Sequence, residues 1–237
     1  MAAPVKGVSV IFEENLAIIC WNCGENRLNP TAVAGLNDAL DRIERNPDVS
    51  AVVTTGHGRF FSNGLDLDYM ASLDDKTRNK FYYAVTSLIC RFITFPVPTV
   101  AAINGHAFAG GCFLALAHDY IVMQTDKGWM SANEVFLGLR IGDFFTALYR
   151  AKVADPSVRR DLIIFGKRFT AQMAKDVGLV TRTCKSESLM TETKRLASEA
   201  AEAGYERDNI RGMKVDMYQS VLDKRLKMDE HGPLSKL

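Results

Sequence analysis

The sequence predicts an α/β fold with a parallel sheet and a helical C-terminal region. Short runs of strand-forming residues alternate with amphipathic helical stretches along the first half of the chain, which is typical of βαβ units. After about residue 143 the strand signals stop and helical patterns take over. The 237 residues are 47% hydrophobic and 24% charged, so the chain can bury a core large enough to exclude disorder as its main state.

The individual elements follow from local patterns. Residues 8–12 and 16–20 form two strand-like runs around a polar turn, which predicts a hairpin. A helix is predicted over residues 31–44, where Val33, Leu36, Leu40 and Ile43 recur at helical spacing. Further helices and buried strands are expected in order at 50–54 (strand), 74–92 (helix), 99–103 (strand), 112–117 (helix) and 119–123 (strand). Two charged amphipathic stretches, 187–203 and 206–228, complete the chain.

Charge and cysteine content narrow the partners and the compartment. The chain has 29 basic and 28 acidic side chains, a net charge of +1, which argues against nucleic acid as the main partner. Five cysteines are too few for a disulfide scaffold at this length and indicate a reducing compartment. The long uncharged stretch between Arg91 and Asp119 is interrupted by prolines and glycines, so no membrane span is expected.

The last three residues, Ser235, Lys236 and Leu237, form the tripeptide that an import receptor reads as a peroxisomal address. A tail behind Gly232 and Pro233 should be exposed enough to be read. We therefore expect peroxisomal localisation and an import receptor as a partner.

Several classes of site are excluded by missing motifs. The chain has no dinucleotide-binding, P-loop, serine-hydrolase or zinc-protease signature. Its four histidines include no pair at metal-ligand spacing, so no metal site is expected. What remains is a pair of glycine-bearing loops, 62–64 and 109–111, each of which follows a predicted core strand.

Both loops should lie at the carboxyl end of a parallel sheet, where ligands bind. Gly110 opens a predicted helix, and the first N–H groups of a helix have no partner within it. Two converging N–H groups would stabilise an oxyanion. Spacing alone leaves the alternative that these glycines only permit tight turns and close packing.

Four segments resemble the enoyl-CoA hydratase/isomerase (crotonase) family. Residues 60–67 and 101–112 are similar to its paired glycine signature, and residues 132–139 and 169–180 are similar to later family segments. The likeness extends from about residue 5 to residue 180. It implies a ClpP-like spiral of ββα units in a core of residues 1–180, followed by a helical trimerisation region at 181–237.

The resemblance also implies the site. The family's oxyanion hole corresponds to the backbone N–H groups of Asn63 and Gly110. The residues around Asn63 would line the thioester and the opening for CoA; these are Ser62, Gly64, Leu65 and Asp66. From the sequence alone, Asp66 is interpreted as a loop or capping residue and Asp119 as structural. No metal or redox cofactor is implied, because CoA is part of the substrate.

The chain departs from the family pattern at one of two glutamates. Hydratases of the family use both, whereas this chain has Phe113 at the first position and keeps Glu134 at the second. Water addition needs a group that holds and deprotonates water, and phenylalanine cannot do this. Moving a double bond needs only one base, and the apolar neighbours of Glu134 should raise its pKa. The resemblance therefore implies a 3-enoyl-CoA isomerase that forms a homotrimer or hexamer.

Two classes of alternative stay open. In the first, the chain is a different enzyme of the family, either an enoyl-CoA hydratase or a catalyst of another crotonase-type reaction on an acyl-CoA. A member that binds acyl-CoA without catalysis is the other alternative.

Overall fold

The computed structural model describes residues 6–226 as an α/β fold with two sheets and C-terminal helices. The tripeptide Ser235, Lys236 and Leu237 lies outside the described residues. The strands are β1 Gly7–Glu13, β2 Leu16–Asn22, β3 Ala51–Gly56, β4 Phe60–Ser62, β5 Thr99–Ile103, β6 His106–Phe108, β7 Tyr120–Gln124, β8 Met130–Ser131 and β9 Arg182–Cys184.

The α-helices are α1 Pro30–Glu44, α2 Leu67–Ala71, α3 Asp75–Ile93, α4 Gly110–Leu116, α5 Gly142–Lys152, α6 Pro156–Arg159, α7 Ala171–Asp176, α8 Leu189–Ala201 and α9 Arg207–Leu226. A 3-10 helix at Asn133–Leu137 follows β8, and a short π-helix occupies Arg160–Ile164. No helix within residues 6–226 is long and apolar enough to cross a bilayer.

The large sheet has the order β1-β2-β3-β5-β7-β9. Its first pair is antiparallel and the other neighbours are parallel, as the predicted hairpin and βαβ units require. The expectation that strands stop after about residue 143 is wrong, because β9 adds an edge strand. It has three half-buried residues, Arg-Thr-Cys, and so carries no apolar run that could signal a strand.

A second, small sheet has the order β4-β6-β8 and is parallel throughout. Each of its strands follows a strand of the large sheet, so the chain repeats a pair of strands, usually followed by a helix. This is the expected spiral of ββα units. Strands of two or three residues are too short to give a periodic signal, which is why the sequence did not predict this sheet.

The core lies on both faces of the large sheet. One face packs against α1, α3, α4 and α5, and the other is covered by α8. Helix α9 packs on α5 and α3 of its own chain, where Val221 is fully buried. The Lys214 ammonium donates to Asp119 at 2.6 Å, and Asp119 also accepts from the Thr99 N–H at 2.8 Å. The structural role expected for Asp119 is therefore confirmed.

Candidate active site

The carboxyl ends of the three small-sheet strands meet at one place. β4 leads into Asn63–Asp66, β6 leads into Gly110, and β8 leads into Glu134. Parallel strands point the same way, so the segments that follow them emerge at the same edge of the sheet. The small sheet thus brings together the two glycine loops and the one glutamate that the sequence singled out.

Gly110 is the first residue of α4, and its N–H has no acceptor among the described residues. Ala109 before it has a φ of +50°, a left-handed conformation that is uncommon for alanine. Gly64 has a φ of +78°, and a Cβ built on it would lie 2.8 Å from the Gly110 nitrogen. Glycine at position 64 is therefore what allows the two loops to touch with the Gly110 N–H uncovered.

In the first loop, the N–H that was expected to bind an oxyanion already has a partner within the protein. The Asn63 N–H donates to the Glu25 carbonyl at 3.0 Å, so it is not free to bind an oxyanion. Leu28 instead pairs with the residues on either side of Leu65: its N–H donates to the Gly64 carbonyl, and its carbonyl accepts from the Asp66 N–H. In such a parallel bridge the N–H of Leu65 itself points away from Leu28.

Leu65 therefore replaces Asn63 as the candidate donor. Its N–H has no acceptor among residues 6–226, and its nitrogen lies 3.5 Å from the Cβ position built on Gly110. The sequence assigned Leu65 only to the substrate lining. Which peptide of a loop faces a site depends on long-range pairing, and no local pattern in the sequence reports it.

Two other predicted lining residues hold the loop in place. The Ser62 hydroxyl is fully buried; it donates to the Asn26 carbonyl at 2.7 Å and accepts from the Gly64 N–H at 3.2 Å. Asp66 caps α2 by accepting from the Tyr69 N–H, which confirms the capping interpretation. The Ser62 side chain is thus turned into the protein and not toward a ligand.

Glu134 lies in the first turn of the 3-10 helix after β8. Burial raises the pKa of its carboxyl group to about 7. Its Oε2 atom is buried and has no hydrogen-bond partner among the described residues. The sequence predicted the direction of this pKa change, but Val135, Phe136 and Leu137 are exposed, so other parts of the fold supply the burial.

An aromatic cluster lies near Glu134. Phe113 is fully buried and stacks on Phe145 with ring centroids 4.1 Å apart, and Tyr149 meets Phe113 edge-on at 4.9 Å. Tyr82 packs edge-on against Phe145. Burial and, to a smaller extent, the nearby Glu134 charge raise the pKa of Tyr82. The position at which the family resemblance predicts a second glutamate is therefore filled by an apolar ring with no acid–base capacity.

The arrangement can polarise a carbonyl oxygen and move a proton beside it. Two unpaired N–H groups from different loops supply the first function, and a buried carboxyl with a pKa near neutrality supplies the second. Within residues 6–226, no group of three or more His, Cys, Asp or Glu side chains is arranged to hold a metal ion.

Comparisons with known proteins identify the family of the chain. The family model described as enoyl-CoA hydratase/isomerase matches residues 13–229. The peroxisomal enoyl-CoA delta isomerase 2 of Arabidopsis thaliana is 37% identical over 163 residues, which cover 66% of this chain and 68% of the relative. A putative enoyl-CoA hydratase of Thermus thermophilus is 36% identical over 192 residues, 79% of this chain and 75% of the relative.

Solved structures support the same assignment. The crystal structure of a probable enoyl-CoA hydratase from Mycobacterium tuberculosis has a TM-score of 0.86 and 26% identity, and the match covers 95% of both chains. The family model alone spans most of the sequence. The chain therefore belongs to the enoyl-CoA hydratase/isomerase (crotonase) family.

Proposed function

We propose that the chain is an isomerase that moves the double bond of a 3-enoyl-CoA, cis or trans, to the 2-trans position in fatty-acid β-oxidation. The observation that carries this proposal is that Glu134, whose Oε2 atom is buried, lies near an aromatic cluster in which Phe113 occupies the position of the second glutamate that the family resemblance predicts. The names of the Arabidopsis relatives, which are enoyl-CoA delta isomerases, point the same way.

In the proposed reaction the thioester oxygen accepts hydrogen bonds from the N–H groups of Leu65 and Gly110. These bonds stabilise the negative charge that develops when a proton leaves C2. The Glu134 carboxylate takes that proton, which leaves a dienolate, and the resulting carboxylic acid returns the proton to C4. The proton balance closes on one residue, so no second acid or base is needed.

A pKa of about 7 suits both halves of this cycle. A carboxylate with an ordinary pKa would be a weaker base toward the C2 proton, and its acid form would lose that proton to water more readily before reprotonation at C4. Burial brings the Glu134 carboxyl close to the working pH, so both protonation states are accessible. The same burial, in the proposed cycle, keeps the proton from exchanging before it reaches C4.

Hydration of a 2-enoyl-CoA is the second candidate, and several relatives carry hydratase names. It would require the side of the site near Phe113 to hold a water molecule. The Phe113–Phe145 stack offers no acceptor for such a water. A chain that binds acyl-CoA without turnover is the third candidate.

Replacing Glu134 with glutamine should remove the base and keep the shape. We expect Glu134→Gln to lower kcat for 3-trans-hexenoyl-CoA isomerisation by about 10³-fold or more, with little change in KM, because the carboxylate acts mainly in the transition state. The measurement is the appearance of 2-enoyl thioester absorbance. Glu187→Gln is the matched control, because it makes the same chemical change at an exposed carboxylate outside the three segments that form the site. It should keep full activity.

The natural chain should also show the ionisation of this base. Free Glu134 must be charged to accept the C2 proton, so kcat/KM should rise as the pH increases through about 7 and then level off. Turnover by Glu134→Gln within a few-fold of the natural chain, or a kcat/KM that does not change between pH 5 and pH 8, would contradict the single-base mechanism.

Phe113→Glu restores the missing carboxylate and tests the boundary with hydratases. We expect it to gain measurable hydration of crotonyl-CoA and to lose isomerase activity, because the carboxylate can orient water but breaks the stack on Phe145. Phe113→Gln, which is polar but cannot act as a base, is the control. If neither variant adds water at all, Phe113 is not what limits hydration.

We also propose a homotrimer or a hexamer. Residues 1–180 would form the core that carries the site, and residues 181–237 its C-terminal region, which contains β9 as well as α8 and α9 within the described residues. Because α9 packs on α5 and α3 of its own chain, we place the association surface beside the site and not on the C-terminal helices. The surface is formed by exposed large side chains around the 3-10 and π-helices: Val135, Phe136, Leu137, Leu139, Ile164 and Phe165. Exposed apolar side chains that are grouped on one surface often mark a protein–protein interface. Sedimentation should give a trimer or hexamer, and a monomer at micromolar concentration would contradict the proposal.

Peroxisomal location is proposed from Ser235, Lys236 and Leu237, and two of the Arabidopsis relatives are named as peroxisomal. Its test is where the chain is found in cells with and without these three residues.

A further inference from the structure

We infer that Asn26 and Ser62 are positioning residues that set the direction of the Leu65 N–H. The inference rests on the proposed function, because it assigns the Leu65 N–H a role toward the thioester oxygen. The segment from Glu25 to Asn29 lies beside residues 60–66, and several hydrogen bonds join the two segments.

The peptide that joins Gly64 to Leu65 carries the N–H in question. Its carbonyl accepts from the Leu28 N–H at 2.7 Å. A peptide unit is planar and trans, so its C=O and N–H point in opposite directions. Holding the Gly64 carbonyl against Leu28 therefore turns the Leu65 N–H away from Leu28. The Leu65 nitrogen itself lies 3.5 Å from the Cβ position built on Gly110.

Glycine allows a wide range of backbone conformations, so the Gly64–Leu65 peptide could rotate unless the N–H of Gly64 were also held by a hydrogen bond. The Gly64 N–H donates to the Ser62 hydroxyl at 3.2 Å. That hydroxyl donates its own proton to the Asn26 carbonyl at 2.7 Å. Ser62 is fully buried, so no water competes for either bond.

Asn26 is itself held in place by burial and by hydrogen bonds from its side chain. It is fully buried and has a φ of +52°, a conformation that asparagine tolerates better than most residues. Its side-chain oxygen accepts from the Cys23 N–H at 2.8 Å, and its amide nitrogen donates to the carbonyls of Phe60 and Phe61 at 3.0 and 3.2 Å. The side chain thereby joins its own segment to the strand that leads into the loop.

The two residues act through the backbone and not on the substrate. Neither side chain is available to bind substrate, because the Asn26 amide and the Ser62 hydroxyl are both engaged in the hydrogen bonds described above. Loss of the Ser62 hydroxyl would leave the Asn26 carbonyl and the Gly64 N–H unpaired in a buried place and would loosen the Gly64–Leu65 peptide. The effect should appear where negative charge develops on the thioester oxygen.

Ser62→Ala tests this directly. Complete loss of an oxyanion donor lowers kcat by about 10²–10³-fold, and a misdirected donor should cost less, so we expect kcat to fall about 10-fold with KM within about 2-fold. The carbonyl stretching frequency of bound [1-¹³C]hexanoyl-CoA, measured by difference infrared spectroscopy, should lie closer to that of the free thioester than in the natural protein. Thr193→Val removes another fully buried hydroxyl, which donates to a carbonyl within α8, and should change neither quantity.

Two more variants keep the inference testable if Ser62→Ala does not fold. Ser62→Cys keeps nearly the same shape with a weaker hydrogen-bonding group, so its kcat and its carbonyl stretching frequency should lie between those of the natural chain and those of Ser62→Ala. Asn26→Asp replaces the donating amide with an oxygen that repels the Phe60 and Phe61 carbonyls. As in Ser62→Ala, the carbonyl stretching frequency of the bound thioester should then lie closer to that of the free thioester.

An unchanged kcat together with an unchanged carbonyl frequency in Ser62→Ala or Ser62→Cys would overturn the inference. So would a rise in KM alone, since that would mean that Ser62 affects binding and not the polarisation of the thioester. If the natural chain does not isomerise any 3-enoyl-CoA, the proposed function fails, but the infrared measurement on the bound saturated thioester still tests the positioning role separately.

Discussion

The site depends on one constraint of the backbone: three short parallel strands end at the same edge of the small sheet. Each strand delivers one group, the Leu65 N–H, the Gly110 N–H or the Glu134 carboxyl, and no single local segment could supply all three. Gly64 lies so close to Gly110 that a Cβ at position 64 would collide with the second N–H. The separation of the two donors is thus fixed by backbone contact, which is stiffer than contact between side chains.

The electrostatics of the site follow from what that edge of the sheet is packed against. An aromatic cluster around Phe113 and Phe145 occupies the interior near Glu134, and burial raises the pKa of this carboxyl to about 7. One glutamate in such surroundings is suited to carry a proton between two carbons, whereas a second carboxylate would be needed to manage water. In the proposed mechanism, Phe113 at the position where the family resemblance predicts a glutamate therefore affects both the available chemistry and the environment of Glu134.

The large sheet, its hairpin and most helices could be predicted from the sequence, because long apolar or amphipathic runs give clear periodicity. The small sheet and β9 could not, because their strands have two or three residues. Gly110, Glu134 and the capping role of Asp66 were identified from the sequence, and the structure brings Gly110 and Glu134 to one edge. The Asn63 N–H that the sequence predicted as the donor in the first loop is bonded to the Glu25 carbonyl, and only the pairing of Leu28 with the residues around Leu65 shows that the Leu65 N–H is left free.

The most direct test of the proposed site is a crystal structure with bound hexanoyl-CoA, a saturated thioester that cannot react. We expect the thioester oxygen about 2.7–3.1 Å from the backbone nitrogens of both Leu65 and Gly110, with the Glu134 carboxyl beside C2. A thioester oxygen bound to the Asn63 N–H, or one that lies away from Gly110, would contradict the oxyanion site. A Glu134 carboxyl turned away from C2 would contradict the single-base mechanism.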